Sequence, residues 1–337
     1  MLFHKANIVL LFSLAKTFTL TKALNSLLIR IEHLLGFVFN IKKTHANPES
    51  LSVEPSSICN LHCPECTLGG NRLTRSKQLL NLETFTNALN PLSKWLINCQ
   101  FYMQGEPTLN NNLCKMIELA HNKKLFTNIS TNGMLLTPDL CENLVRSGLN
   151  QIIISIDGTT QEVYEKYRVG GNLATVISGI ANLVEARKKM NSYTPIITAQ
   201  FIVFRHNEHQ TKEFPKLAHK WGADKIVFKS AQIENYQNAP NLLPTNKRFR
   251  RYKHSINGEF YINRHFPINC FRLRSTMVIN SEGNASLCCY DKNTEFCLGN
   301  VNQHSALQIW HNKKINAMRQ KVWNNKTPLY ICRNCNE

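Results

Sequence analysis

No stretch of 18 uncharged apolar residues occurs anywhere in this 337-residue chain, so the sequence offers no helix expected to span a bilayer. Acidic residues are scarce: 22 Asp and Glu stand against 40 Lys and Arg, for a formal charge of +18. The cations are scattered rather than run together, as on a solvated basic face, although such a surface attracts nucleic acid, anionic lipid and acidic substrates alike. Internal repeats are lacking, and so is the aromatic pattern of an RNA-reading sheet. Residues 6–15 (ANIVLLFSLA) have the length of a signal core, but only His4 and Lys5 flank them and no small-x-small cleavage site follows. The expected location is therefore the cytoplasm, where thiols stay reduced.

Hydrophobic residues make up 43% and charged residues 18% of the chain, enough for a sizeable core. The length suggests a large α/β domain plus a smaller unit. Strand-like runs at 51–54, 100–103, 126–130, 151–156, 196–203 and 225–228 alternate with helical patterns near 82–94, 110–122, 138–147, 172–190 and 208–221. Thr137-Pro138-Asp139 opens the third of these helices and Gly148 closes it. Six such units predict parallel strands with right-handed crossovers, as a partial barrel or an open sheet. Beyond residue 262 the rhythm changes. Residues 276–280 and 284–288 flank Ser281-Glu282-Gly283 as a hairpin, and a helix is expected near 305–320.

Residues 1–45 form a separate segment. From Leu24, apolar residues recur at 27, 28, 31, 34, 35 and 38, with Lys22, Asn25, Ser26, Arg30 and His33 on the other face. Such a helix either packs on the body of the protein or lies on a membrane surface. A membrane-associated form therefore stays open beside the cytoplasmic one.

Twelve cysteines are present, too many and too grouped for a disulfide framework in a chain this long. Cys59, Cys63 and Cys66 fall in one loop after the first strand, in the order CxxxCxxC. Chance would give this spacing about 0.015 times at this cysteine content. Three thiolates so placed can cap three irons of a cubane and leave the fourth open to a substrate or cosubstrate. Structural zinc fits poorly, because no fourth Cys or His follows at a zinc-like spacing and His62 adjoins Cys63.

Residues 52–66 (SVEPSSICNLHCPEC) closely resemble the radical S-adenosylmethionine superfamily. The resemblance continues through Gln104-Gly105-Glu106-Pro107, Ser130-Thr131-Asn132-Gly133, Ser155-Ile156-Asp157-Gly158 and Tyr167-Arg168. It implies a partial (β/α)6 TIM-like barrel over residues 46–261, with its site at the C-terminal strand ends. It also implies a [4Fe-4S] cluster on Cys59, Cys63 and Cys66 whose open iron chelates S-adenosylmethionine. Gly105 and Glu106 would lie beside the methionine amino group, and Ser155 and Asp157 beside the ribose or methionine. Arg168 would pair with the carboxylate. Glu65 stands where the family usually carries an aromatic or apolar residue near the adenine. The implied chemistry is reductive cleavage of S-adenosylmethionine to methionine and a 5'-deoxyadenosyl radical, which takes a hydrogen from a substrate. The electron is expected from a reductase such as flavodoxin or ferredoxin.

Cys270, Cys288, Cys332 and Cys335, with Gly283, Leu298-Gly299-Asn300-Val301 and Ile309-Trp310, resemble the SPASM module that follows some of these barrels. The resemblance implies one auxiliary [4Fe-4S] cluster within a small Cys-rich hairpin-and-helix module, residues 262–337. Cys289 is an alternative to Cys288, and zinc on the same four thiolates is an alternative to the cluster. Cys99, Cys114, Cys141 and Cys297 are expected to be inert buried thiols. Lys229, just past the sixth strand, can face the barrel mouth and position an acidic substrate or move a proton. The expected substrate is a peptide or a small sugar or alcohol, and no nucleic acid is expected. The alternative is a basic, cluster-containing nucleic-acid-binding module without radical chemistry.

Overall fold

The computed structural model describes residues 2–39, 44–234, 236–254, 260–262, 270–324 and 329–335. Two helices, α1 (Leu2–Ala15) and α2 (Leu20–Phe39), precede the first strand, β1 (Ser50–Val53). Helix and strand then alternate: α3 (Leu82–Leu89), β2 (Asn98–Phe101), α4 (Leu113–Asn122), β3 (Phe126–Thr131), α5 (Pro138–Arg146) and β4 (Gln151–Ser155). Next come α6 (Gln161–Glu165), α7 (Leu173–Lys189), β5 (Ile196–Val203), α8 (Phe214–Trp221) and β6 (Lys225–Ser230). A short helix α9 (Ala239–Leu242) and the hairpin β7 (Tyr252–His254) and β8 (Phe260–Ile262) follow. The last part holds α10 (Arg272–Ser275), β9 (Thr276–Ile279), β10 (Ala285–Ser286), α11 (Ala306–Trp310) and α12 (Lys313–Asn324).

The main sheet has eight strands in the order β10-β9-β1-β2-β3-β4-β5-β6. Strands β1 to β6 are parallel throughout, as the expected partial (β/α)6 barrel requires. A parallel strand is covered on both faces, so it reads as a continuous apolar run. The sequences QIIIS of β4 and IITAQFIV of β5 show this, and nearly every residue of β5 is buried. Phe85, Phe101, Ile129, Ile154, Phe201 and Phe214 join sheet and helices in one core. Each such side chain, fully buried, stabilises the fold by roughly 1.5–3 kcal/mol.

Local signals set the helix ends. Asn81, Thr137 and Asn172 each accept a bond at their helix N-termini, from the amides of Thr84, Leu140 and Thr175 respectively. One expectation is extended and one is revised. The C-terminal hairpin forms, β10 antiparallel to β9, and β9 also pairs in parallel with β1, Ser50 opposite Thr276, which extends the barrel sheet. The helix expected at 305–320 is broken after Trp310, because the Asn312 side chain accepts from the Ile315 amide and starts α12 afresh.

α1 and α2 sit at the N-terminal ends of the strands. The Lys22 ammonium donates to the Lys124 carbonyl at 2.8 Å, Asn25 bonds Asn47 in both directions, and Ser26 donates to Glu49 at 2.6 Å. Glu32 accepts from the amide of His45. No single helix among the described residues is long and apolar enough to cross a membrane; α1 and α2, bent by 101°, pass that test only as a pair.

Candidate active site

The C-terminal ends of β1 to β6 face the opposite way from α1 and α2. The loop after β1 carries Cys59, Cys63 and Cys66, all free thiols. The Cys66 amide donates to the Cys63 carbonyl at 3.1 Å, and the Gly70 amide to the Cys66 carbonyl at 2.8 Å, which curls the loop around its third cysteine. Leu61, Tyr167, Phe204 and Ala231 pack around the three sulfurs, with Met134, Ile202 and Leu242 behind. This wall brings the ends of β5 and β6 onto the loop from β1.

Polar groups reach into the wall at chosen points. Arg168 aims Nη1 at the Cys63 sulfur, 3.7 Å away, while its Nε donates to Asp157 at 2.6 Å. Asp157 is wholly buried and also accepts from the Ile202 amide at 2.6 Å. Burial raises its carboxyl above the usual range, and the Arg168 guanidinium works against that rise. Asn132 donates to Asn60 at 2.8 Å and lies 3.9 Å from the Cys59 sulfur.

Glu106 is buried and accepts from the Thr131 hydroxyl at 2.6 Å, the Thr108 hydroxyl at 2.6 Å and the Asn132 amide at 2.8 Å. Burial raises this carboxyl as well, with those bonds opposing. Glu106 thereby fixes the end of β3 on the end of β2. Gly105 has φ of +70°, and a Cβ there would lie 2.1 Å from the Ser56 carbonyl oxygen. Only glycine lets this turn lie against the cluster loop, where the Glu106 amide donates to the Ile58 carbonyl at 2.8 Å.

The sequence-selected residues are therefore gathered at one end of the sheet: Cys59, Cys63, Cys66, Gly105, Glu106, Ser155, Asp157 and Arg168. Ser155 closes β4, buried, opposite Gln200 of β5. Two placements change. Lys229 is not past the sixth strand but inside β6, exposed, opposite Ile202. Cys297 is exposed rather than buried. Glu65 is buried, and its carboxylate accepts from the Glu234 amide at 2.8 Å. Asn132, Tyr167 and Phe204 were given no role from sequence. Asn132 and Tyr167 lie in recognisable motifs, whereas Phe204 carries no local signal.

The donor set fits an iron–sulfur cluster. Burial pushes the Cys59 thiol up to about 11 and raises Cys63 too, so a thiolate here needs a compensating positive centre. Three thiols in one loop suit the three irons of a cubane, with the fourth left open, whereas a structural zinc site is closed by four ligands.

The second group of cysteines is also brought together. Cys270, Cys288, Cys332 and Cys335 line one pocket with Leu273, Leu287 and Ile331. Burial raises Cys270 and Cys288 and pushes Cys332 up to about 11. Cys289 is not in that lining; its sulfur accepts from Arg272 Nη1 at 3.1 Å.

A parallel sheet with a three-thiol loop at its C-terminal edge, and a four-thiol pocket lined from α10, the segment after β10, and α12, defines an iron–sulfur protein of the partial-barrel class. Two family models match: the radical SAM superfamily over residues 53–214, and an iron–sulfur cluster-binding domain, SPASM, over residues 270–336. The chain belongs to the radical S-adenosylmethionine superfamily and carries a SPASM module. These domains imply a [4Fe-4S] cluster, S-adenosylmethionine and auxiliary iron–sulfur binding.

The chain is 27% identical over 214 residues to the PqqA peptide cyclase of Gluconobacter oxydans, which covers 63% of this chain and 58% of the relative. It is 27% identical over 179 residues to the mycofactocin maturase MftC of Mycobacterium ulcerans, covering 52% and 46%. The chain thus spans about half the length of the curated relatives it matches. Its fold is shared with Streptococcus suis SuiB bound to S-adenosylmethionine, with a TM-score of 0.63 and 14% identity over 88% of this chain and 76% of that one.

Proposed function

We propose that this protein is a radical S-adenosylmethionine enzyme that removes a hydrogen from a peptide substrate. The observation carrying the reading is the loop of Cys59, Cys63 and Cys66, three free thiols at the C-terminal strand ends inside an apolar wall. When bound, the cluster and its cosubstrate supply reductive sulfonium cleavage and hydrogen abstraction. The remaining tasks belong to this chain. Cys59, Cys63 and Cys66 hold three irons. Arg168, fixed by Asp157, offers a guanidinium fork beside the cluster loop, suited to a cosubstrate carboxylate. Gly105 and Glu106 shape the turn against that loop, and Ser155 closes β4 on the same side. The apolar wall of Leu61, Tyr167 and Phe204 excludes water and competing hydrogens. Cys270, Cys288, Cys332 and Cys335 hold the auxiliary cluster, and Lys229 faces an acidic group of the substrate. A flavodoxin- or ferredoxin-type reductase supplies the electron.

The peptide is favoured over a sugar or alcohol by the relative from Gluconobacter oxydans, a peptide cyclase by name. Anaerobic reconstitution is expected to give about eight irons per chain and dithionite-dependent 5'-deoxyadenosine, which Cys63→Ala abolishes. Intact cleavage in Cys63→Ala overturns the reading. Deuterium transfer into 5'-deoxyadenosine from labelled peptide pools, and not from labelled sugars, is expected; label from sugars alone removes the peptide half.

A further inference from the structure

Helix α2 is turned inside out relative to a core helix. Its buried face holds Lys22, Asn25, Ser26 and Glu32, around Ile29, the one large apolar side chain of α2 that is fully buried among those described. Its solvent face holds Leu20, Leu24, Leu27, Ile31, Leu34 and Val38, spaced by three and four residues along one stripe. Leu24 is 57% and Leu34 60% exposed. Leu11 and Phe12 of α1 are exposed as well. Among the described residues, twelve of the eighteen exposed large hydrophobic side chains lie between Ile8 and Phe39. Scattered exposed leucines need no explanation, but a concentrated field of them marks a binding surface.

Charge names the partner. Beside α1 an open trough of about 790 Å³ runs along the starts of β3, β4 and β5. Phe12, Lys16, His121, Lys124 and Tyr193 line it, and no acidic side chain does. Lys16 and Lys124 are exposed. The trough thus sets Lys16 and Lys124 beside the exposed Phe12 of α1, the helix that leads into α2, on a chain of formal charge +18.

We propose that α1 and α2 seat this protein on an anionic phospholipid bilayer, with the apolar stripe in the acyl boundary and Lys16 and Lys124 at the lipid phosphates. An amphipathic helix with cations at its margin binds such a surface in the plane of the interface, and each cation near the headgroups adds about 1 kcal/mol. A crossing orientation is opposed by the bonds of Lys22, Asn25 and Ser26, which tie the polar face of α2 to the barrel. A second copy of the chain would bring the same cations against this face. The cluster loop lies at the far ends of the strands, so the seated barrel keeps its mouth toward solution. The substrate is then met from the aqueous side, not drawn from the bilayer.

Sedimentation of the full chain with phosphatidylcholine vesicles, with and without a third of phosphatidylglycerol, tests this. Binding to the anionic vesicles is expected, at least about tenfold tighter than to neutral ones and weakened by salt. Leu24→Glu with Leu27→Glu, both at exposed positions, is expected to lose about tenfold or more, with unchanged circular dichroism. Lys16→Gln with Lys124→Gln is expected to lose the anionic preference while keeping residual binding. Wild-type protein left in the supernatant of both vesicle types overturns the proposal. So do glutamate variants that bind like wild type, or self-association that the glutamate pair abolishes without any vesicle binding.

Discussion

Asp157 and Arg168 form a buried ion pair, 2.6 Å from Oδ2 to Nε, that aims the guanidinium at the sulfur of Cys63. The carboxylate comes from the end of β4 and the guanidinium from the segment after α6, so the pair clamps two elements over the loop from β1. A hydrogen bond and a positive charge at a ligating sulfur raise a cluster's reduction potential. Arg168→Gln is therefore expected to lower the midpoint potential of the reconstituted cluster, read by a redox titration followed by electron paramagnetic resonance. Asp157→Ala leaves the guanidinium buried without its partner and is expected to cost about 3–5 kcal/mol in urea unfolding. An unchanged potential in Arg168→Gln would show that the 3.7 Å contact does not act on the metal.

A second buried pair links the two cysteine centres. Glu54, at the end of β1, meets Arg75 of the cluster loop and also accepts from the Ser281 amide at 3.0 Å in the β9–β10 turn. Arg75 Nε donates to the Lys292 carbonyl at 2.8 Å, and Gln78 donates to the Ser281 carbonyl at 2.9 Å. The far side of the cluster loop is thus held by the C-terminal module. Glu54→Leu and Arg75→Met are each expected to destabilise the protein more than the double change does, with a coupling of about 1–3 kcal/mol in a double-mutant cycle. Additive losses would mean that the pair does not act as a unit.

The assignment of Cys288 over Cys289 gives a direct count. Cys288→Ser is expected to lower reconstituted iron from about eight to about four per chain, leaving the signal of the first cluster. Cys289→Ser should keep the full content, since Cys289 is absent from the lining of the four-cysteine pocket and its sulfur accepts from Arg272 at the pocket's edge. The reverse pattern would exchange the two roles.

Spacing made much of this legible. The CxxxCxxC loop, the six apolar strands and the Thr137-Pro138 helix start each state their structure within a few residues, and each is found where expected. Long-range pairing was not written locally: nothing in Thr276–Ile279 says that it lies parallel to β1 rather than forming a free hairpin. The break at Asn312 depends on one side chain accepting from the Ile315 amide, a bond that apolar periodicity cannot register. The apolar run at 225–228 predicts a strand that stops short of Lys229, yet the backbone continues pairing to Ser230. Amphipathic spacing in α2 announced two faces without saying which one turns inward. Glu49 and Glu32 decided that, by holding Ser26 and the His45 amide.

Lys22 provides the last test, because its burial reports on how α2 is seated. Only 3% of it is exposed. Burial, with Lys124 nearby, lowers its ammonium from 10.5 to about 8. Below pH 8 the folded and unfolded chains both carry the proton, and the folded state bears the whole cost of the buried charge. Between about 8 and 10.5 the folded chain releases the proton while the unfolded chain keeps it, so stability from this group rises with pH across that window. Lys22→Met removes the titration together with the bond to the Lys124 carbonyl. The difference in melting temperature between wild type and Lys22→Met is therefore expected to move in favour of wild type as pH rises through that window. A difference independent of pH would mean that this side chain is solvated, and that the polar face of α2 is not held against the barrel as described.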